Sequence, residues 1–91
     1  MEKVRKTSFG SIEILSEKPL VERMIFNKEG RAHTHQDIEY CEILSGSGRI
    51  IGANTENVIK GDKVSIPSGT EHYMIPKEKP FMVLISYGRE E

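Results

Sequence analysis

Apolar residues along this chain come in short runs that alternate with polar ones, and no segment carries the 3.6-residue stripe of an amphipathic helix for long. Turn-forming residues recur at Ser16 to Pro19, Asn27 to Gly30, Gly46 to Gly48, Gly52 to Asn57, Gly61-Asp62, Pro67 to Gly69 and Pro76 to Pro80. The runs between them are too short for ordinary helices and predict strands. These fall at Ser11 to Leu15, Val21 to Phe26, Arg31 to His35, Ile38 to Ser45, Arg49 to Ile51, Val58 to Lys60, Lys63 to Ile66, His72 to Ile75 and Phe81 to Tyr87. Met1 to Lys6 and Ile12 to Lys18 mix charges with aliphatics, but neither is long enough to support a helix. Many short strands at regular spacing imply an all-β sandwich or barrel. The apolar run Phe81 to Tyr87 predicts cover on both faces, from the barrel interior and from a second subunit, so a homodimer is expected.

Composition narrows this picture. With 91 residues and 10.3 kDa there is room for one core, and residues 1–91 are expected to form one domain. Hydrophobic residues make up 36% and charged residues 30%, so a bound metal or a partner subunit would help stabilise so small a core. The 13 basic and 14 acidic residues are interspersed, which leaves no basic stripe for a phosphate backbone and argues against nucleic acid. No apolar stretch approaches the roughly 18 residues of a membrane span, and no apolar segment follows Met1 to Lys6, so neither a membrane nor a secretory route is expected. The lone Cys41 cannot form an intramolecular disulfide, which fits a reducing compartment; the expectation is cytoplasmic.

The chemistry concentrates on the histidines. His33 and His35 stand two apart, a spacing that on a strand places both rings on one face about 7 Å apart. Glu39 shares their parity across the Gln36-Asp37 corner, and Cys41 and Ile43 would then also face inward. His72 follows the Pro67-Ser68-Gly69 turn, which fixes its direction of approach. Three imidazoles and a carboxylate suit a divalent transition ion such as Fe, Mn, Ni or Zn, and are too rich in nitrogen for Mg or Ca. Four protein ligands leave coordination positions for water or substrate, so Glu39 is also the catalytic candidate, as a base.

These residues resemble the cupin superfamily, in particular its small single-domain metal-binding members. The first cupin motif, G-x5-H-x-H-x3,4-E-x6-G, is matched by Gly30, His33, His35, Glu39 and Gly46, with two residues rather than five between the first glycine and the first histidine. The second, G-x5-P-x-G-x2-H-x3-N, is matched by Gly61, Pro67, Gly69 and His72, with Pro76 in place of the final Asn. The resemblance implies a jelly-roll barrel, often dimeric, in which His33, His35, Glu39 and His72 hold one divalent metal. The superfamily spans dioxygenases, decarboxylases, isomerases, sensors and storage proteins, so the fold alone does not name a reaction. A small oxygen-bearing ligand is the expected partner, with dioxygenase, isomerase or decarboxylase chemistry, and the alternative is a non-catalytic module that binds or senses a sugar or carboxylate.

Other residues are assigned structural roles. Gly46, Gly48, Gly61 and Gly69 read as turn or bulge residues, and Cys41 as a small buried filler. Tyr40 and Tyr73 should point away from the site, while Met24, Phe26, Met74, Val83 and Ile85 line its cavity. Lys3, Arg5 and Lys6 read as a solvated terminus, and few proton-carrying groups are expected in the cavity beyond the candidate ligands.

Overall fold

Alternation builds one antiparallel sheet that wraps around the apolar side chains. The computed structural model describes residues 3–88. They form seven strands: β1 (Lys3–Lys6), β2 (Gly10–Glu17), β3 (Leu20–Phe26), β4 (Ile38–Ile51), β5 (Thr55–Ile59), β6 (Lys63–Ile66) and β7 (Tyr73–Gly88). The strands pair in the order β1-β2-β3-β7-β4-β5, with β6 on the first half of β4. The all-β expectation holds, and none of the described residues is helical.

Register explains which side chains are buried. Arg5, Ile12, Met24, Val83 and Ile43 stand side by side across β1, β2, β3, β7 and β4, and Lys3, Ile14, Glu22, Ile85 and Cys41 form the next row on the same face. Phe81 and Val83 are fully buried, and Phe26 packs between Phe9 and Phe81 with ring centroids 4.8 and 5.8 Å away. Met24, Phe26, Met74, Val83 and Ile85 are all buried, but Val83, unlike the other four, does not border the cavity they were expected to line. On the outer face Met82 and Leu84 are only half-buried, and Leu84 lies beside Arg23 and Glu42.

Three expectations need correction. Gly46 to Gly48 and Pro76 to Pro80 are not chain reversals. They face each other as bulges within the long strands β4 and β7, where the register slips between Ile43 and Gly48. Glycine and proline interrupt the ladder there, and the pairing resumes beyond them. The β5–β6 turn docks onto this corner through Lys60 N to Gly46 O and Gly61 N to Ile43 O. Second, Arg31 to His35 is not a strand; only His33 pairs, in an isolated bridge with His72. Third, Lys3 to Lys6 is exposed, as expected, but it is an edge strand rather than a free tail. It turns Arg5 toward the same face as Ile12, and Lys3 pairs with Glu17.

Candidate metal centre

The segment that carries His33 and His35 has no ladder of its own and is laced down by single backbone contacts. Gly30 N donates to Met74 O (2.8 Å), His33 and His72 exchange both backbone hydrogen bonds (3.0 and 2.9 Å), and Gly69 N donates to His35 O (2.7 Å). These contacts tie the His33–His35 loop to the start of β7 and to the turn that delivers His72. Glu39 comes from β4, between Tyr87 on one neighbour and Ile66 on the other. The four residues named from the sequence are thus brought together: one candidate ligand atom from each of His33, His35, Glu39 and His72 lies within 4.8 Å of the others. The ring centroids of His33 lie 4.7 Å from His35 and 4.3 Å from His72.

Hydrogen bonding fixes the direction of two rings. His33 Nδ1 lies 2.8 Å from Arg31 O and His72 Nδ1 lies 2.9 Å from Thr70 O. A carbonyl only accepts, so each Nδ1 is the donor, and in the neutral ring Nε2 presents its lone pair to the cluster. His72 Nε2 then faces Glu39 Oε2 at 2.9 Å, and His35 Nε2 faces Glu39 Oε1 at 3.6 Å. His35 Nε2, Glu39 Oε1 and His72 Nε2 are buried without a hydrogen-bond partner. Buried acceptors that converge at such distances repel unless a cation or a proton lies among them. This arrangement fits a metal ion, and the donor set of three imidazoles and one carboxylate suits a divalent transition metal.

The surroundings shift the ionisation of these groups in opposite directions. Burial lowers the His35 pKa, against the attraction of Glu39. Burial acts the same way on His72, but Glu39 and the Thr70 carbonyl outweigh it and hold that ring above its ordinary value of 6.5. Burial pushes the Cys41 thiol up, with Glu39 adding to the effect, so it stays protonated and donates weakly to Glu39 Oε2 at 3.8 Å. Its role as a buried filler fits. A metal held by His72 would need that ring neutral, so the raised pKa makes protons stronger competitors there than at an ordinary histidine. Affinity for Zn(II), read by competition with a chromogenic chelator, is expected to fall about tenfold per pH unit below the raised His72 pKa. An affinity that stays flat as the pH is lowered to the ordinary histidine value would contradict this linkage.

A cavity of about 460 Å³ opens beside the cluster, lined by His33, His35 and Glu39 together with Met24, Phe26, Met74 and Ile85. It is less apolar than the sequence suggested. Arg5, Glu22, Arg31, Tyr73 and Tyr87 also border it. Tyr87 Oη donates to Glu22 Oε1 at 2.8 Å, and the Tyr87 ring sits edge-on to His35 with centroids 5.3 Å apart. Burial and this hydrogen bond raise the Tyr87 pKa, so the phenol remains protonated. Glu22 has the parity of Met24 and Phe26, and Tyr87 that of Val83 and Ile85; carrying that alternation one step further along each strand would have found both. Tyr40 does point outward and is exposed, whereas Tyr73 borders the cavity.

No family model matches the chain. It is 31% identical over 94 residues to acireductone dioxygenase from Hydrogenobaculum sp. (strain Y04AAS1), a match covering 92% of this chain and 50% of that protein. The chain therefore spans about half the length of the curated relative it matches. Among solved structures it is similar to KdgF from Halomonas sp., with a TM-score of 0.83 at 16% identity over 98% of this chain and 89% of that one. An RmlC-like cupin from Shewanella frigidimarina NCIMB 400 superposes with a TM-score of 0.82 at 14% identity, over 100% of this chain and 87% of that one. Oxalate decarboxylase from Bacillus subtilis, described with Mn(II) centers, gives 0.85 at 17% identity over 97% of this chain and 27% of that one. The chain has the cupin fold, an all-β jelly-roll barrel.

Proposed function

We propose that this cupin binds one divalent transition metal through His33, His35, Glu39 and His72 and acts on a small oxygen-bearing ligand in the adjoining cavity. The observation that carries the reading is the convergence of buried, partnerless ligand atoms from His35, Glu39 and His72 on one point beside that cavity. Fe, Mn, Ni or Zn suits the set, and such an ion supplies Lewis acidity toward ligand oxygens and, for Fe, access to oxygen chemistry. Of dioxygenase, isomerase and decarboxylase chemistry, the resemblance to an acireductone dioxygenase supports the first. Glu39, buried at the cluster and 2.9 Å from His72, is the residue able to take up a substrate proton. The walls of Met24, Phe26, Met74 and Ile85 exclude water from the ligand's apolar part. A homodimer belongs to the same proposal and is supported by Val4, Leu15 and Leu20, which the β1–β2–β3 side leaves exposed.

The test is oxygen consumption by the Fe(II)-loaded protein across enediols, catechols, diketones and flavonols. Uptake with at least one of them, lost in Glu39→Gln, is expected. A compound that binds the metal-loaded protein and is recovered unchanged, with no oxygen consumed by any candidate, would favour a binding or sensing module instead.

A further inference from the structure

The Glu22–Tyr87 pair has no place in the metal cluster, yet it borders the same cavity. Glu22 is the one acidic residue in an inward row whose other members are Lys3, Ile14, Ile85 and Cys41. It is half-buried, and a carboxylate partly withdrawn from water needs hydrogen-bond donors. Tyr87, diagonal to it on the neighbouring strand, donates to Oε1 and so fixes the orientation of the carboxylate. Among the described residues no second donor hydrogen-bonds to Glu22, so Oε2 keeps its accepting capacity. The Tyr87 ring is one aromatic contact from His35, and Glu22 borders the same cavity as His33, His35 and Glu39, so this acceptor faces the space beside the cluster. Glu22, His35 and Tyr87 also border an outer recess of about 640 Å³ beside Asp37 and Gly88, so they stand between two recesses.

We infer that Glu22, oriented by Tyr87, accepts a hydrogen bond from a hydroxyl on the ligand, and so selects ligands that carry a hydroxyl beyond the oxygens that reach the metal site. The inference rests on the metal-site reading above and adds a substrate class to it: small polyhydroxylated acids rather than simple dicarboxylates. Glu22 and Tyr87 are specificity and positioning residues in this account.

The test loads the full chain with Mn(II) and measures, by water-proton relaxation, the displacement of metal-bound water by lactate and by glycerate. The two share a chelating head and a three-carbon frame and differ by one hydroxyl. Glycerate is expected to bind wild-type protein about tenfold more tightly, the discrimination of one hydrogen bond to a charged acceptor. In Glu22→Gln, whose carbonyl oxygen satisfies Tyr87 and turns an amide N–H toward the cavity, the preference should fall to within about twofold with Mn(II) content unchanged. Tyr87→Phe, which removes the orienting donor, should reduce it in part. A structural role alone would weaken both acids equally and leave their ratio intact. Equal binding of the two acids by wild-type protein, or a ratio untouched by Glu22→Gln, overturns the inference and leaves the metal site standing. Failure of wild-type protein to take up Mn(II) overturns the reading beneath it.

Discussion

His72→Ala is expected to lose bound metal: content per chain after gel filtration in Zn(II) or Mn(II) should drop from near one in the wild type to near zero. His72 is buried, supplies one of the converging lone pairs, and is aimed by its Nδ1 bond to Thr70 O. Removing residues that merely orient a ligand costs roughly 10–100-fold in metal affinity, so removing the ligand itself should cost at least that much. The stability readout follows by linkage. A metal present at a hundredfold excess over Kd adds about 2.7 kcal/mol to the folded state. At about 4–8 °C per kcal/mol for a domain of this size, chelator should lower the wild-type Tm by on the order of 10–20 °C and leave the variant unmoved. His33→Ala, at a residue exposed on one side, gives the same expectation without opening a buried cavity. Equal metal content in the wild type and both variants would remove these residues from the site.

The second large effect concerns the corner of β4. Gly46 has φ +75°, and a Cβ built on it would lie 2.2 Å from Glu78 O and 2.4 Å from Pro80 O, both backbone atoms of the facing bulge. Gly61 has φ +97° with nothing within 4 Å of the same position. Alanine at either site meets the left-handed penalty of about 1–2 kcal/mol, but only at Gly46 must backbone also move, which adds about 1–3 kcal/mol. Denaturant unfolding should therefore show Gly46→Ala destabilised by about 2–5 kcal/mol and Gly61→Ala by about 1–2 kcal/mol. Equal losses at the two sites would mean that β7 yields freely opposite Gly46.

These two positions also show what the sequence could reveal. Glycine and proline at Gly46 to Gly48 and Pro76 to Pro80 do interrupt the ladder, but a bulge and a reversal carry the same residues; only the partner strand distinguishes them. Two sequence-level strands on each side therefore merge into β4 and β7. The candidate ligands were legible because their spacing and the Pro67-Ser68-Gly69 turn are local features. The reason their loop holds was not, since the His33–His72 bridge and the Gly30 and Gly69 hydrogen bonds join residues far apart in sequence. Glu22 and Tyr87 were within reach of parity, yet which parity faces inward depends on register across strands. Arg5 was hidden for a similar reason: a charged tetrapeptide becomes an edge strand only when β2 is there to pair with it.

X-ray absorption at the metal K edge of the loaded protein tests the central claim most directly. The account predicts about one ion per chain whose first shell holds nitrogen and oxygen, with outer-shell scattering from three imidazoles that drops to two in His33→Ala. A shell of oxygens alone, without imidazole scattering, would contradict it.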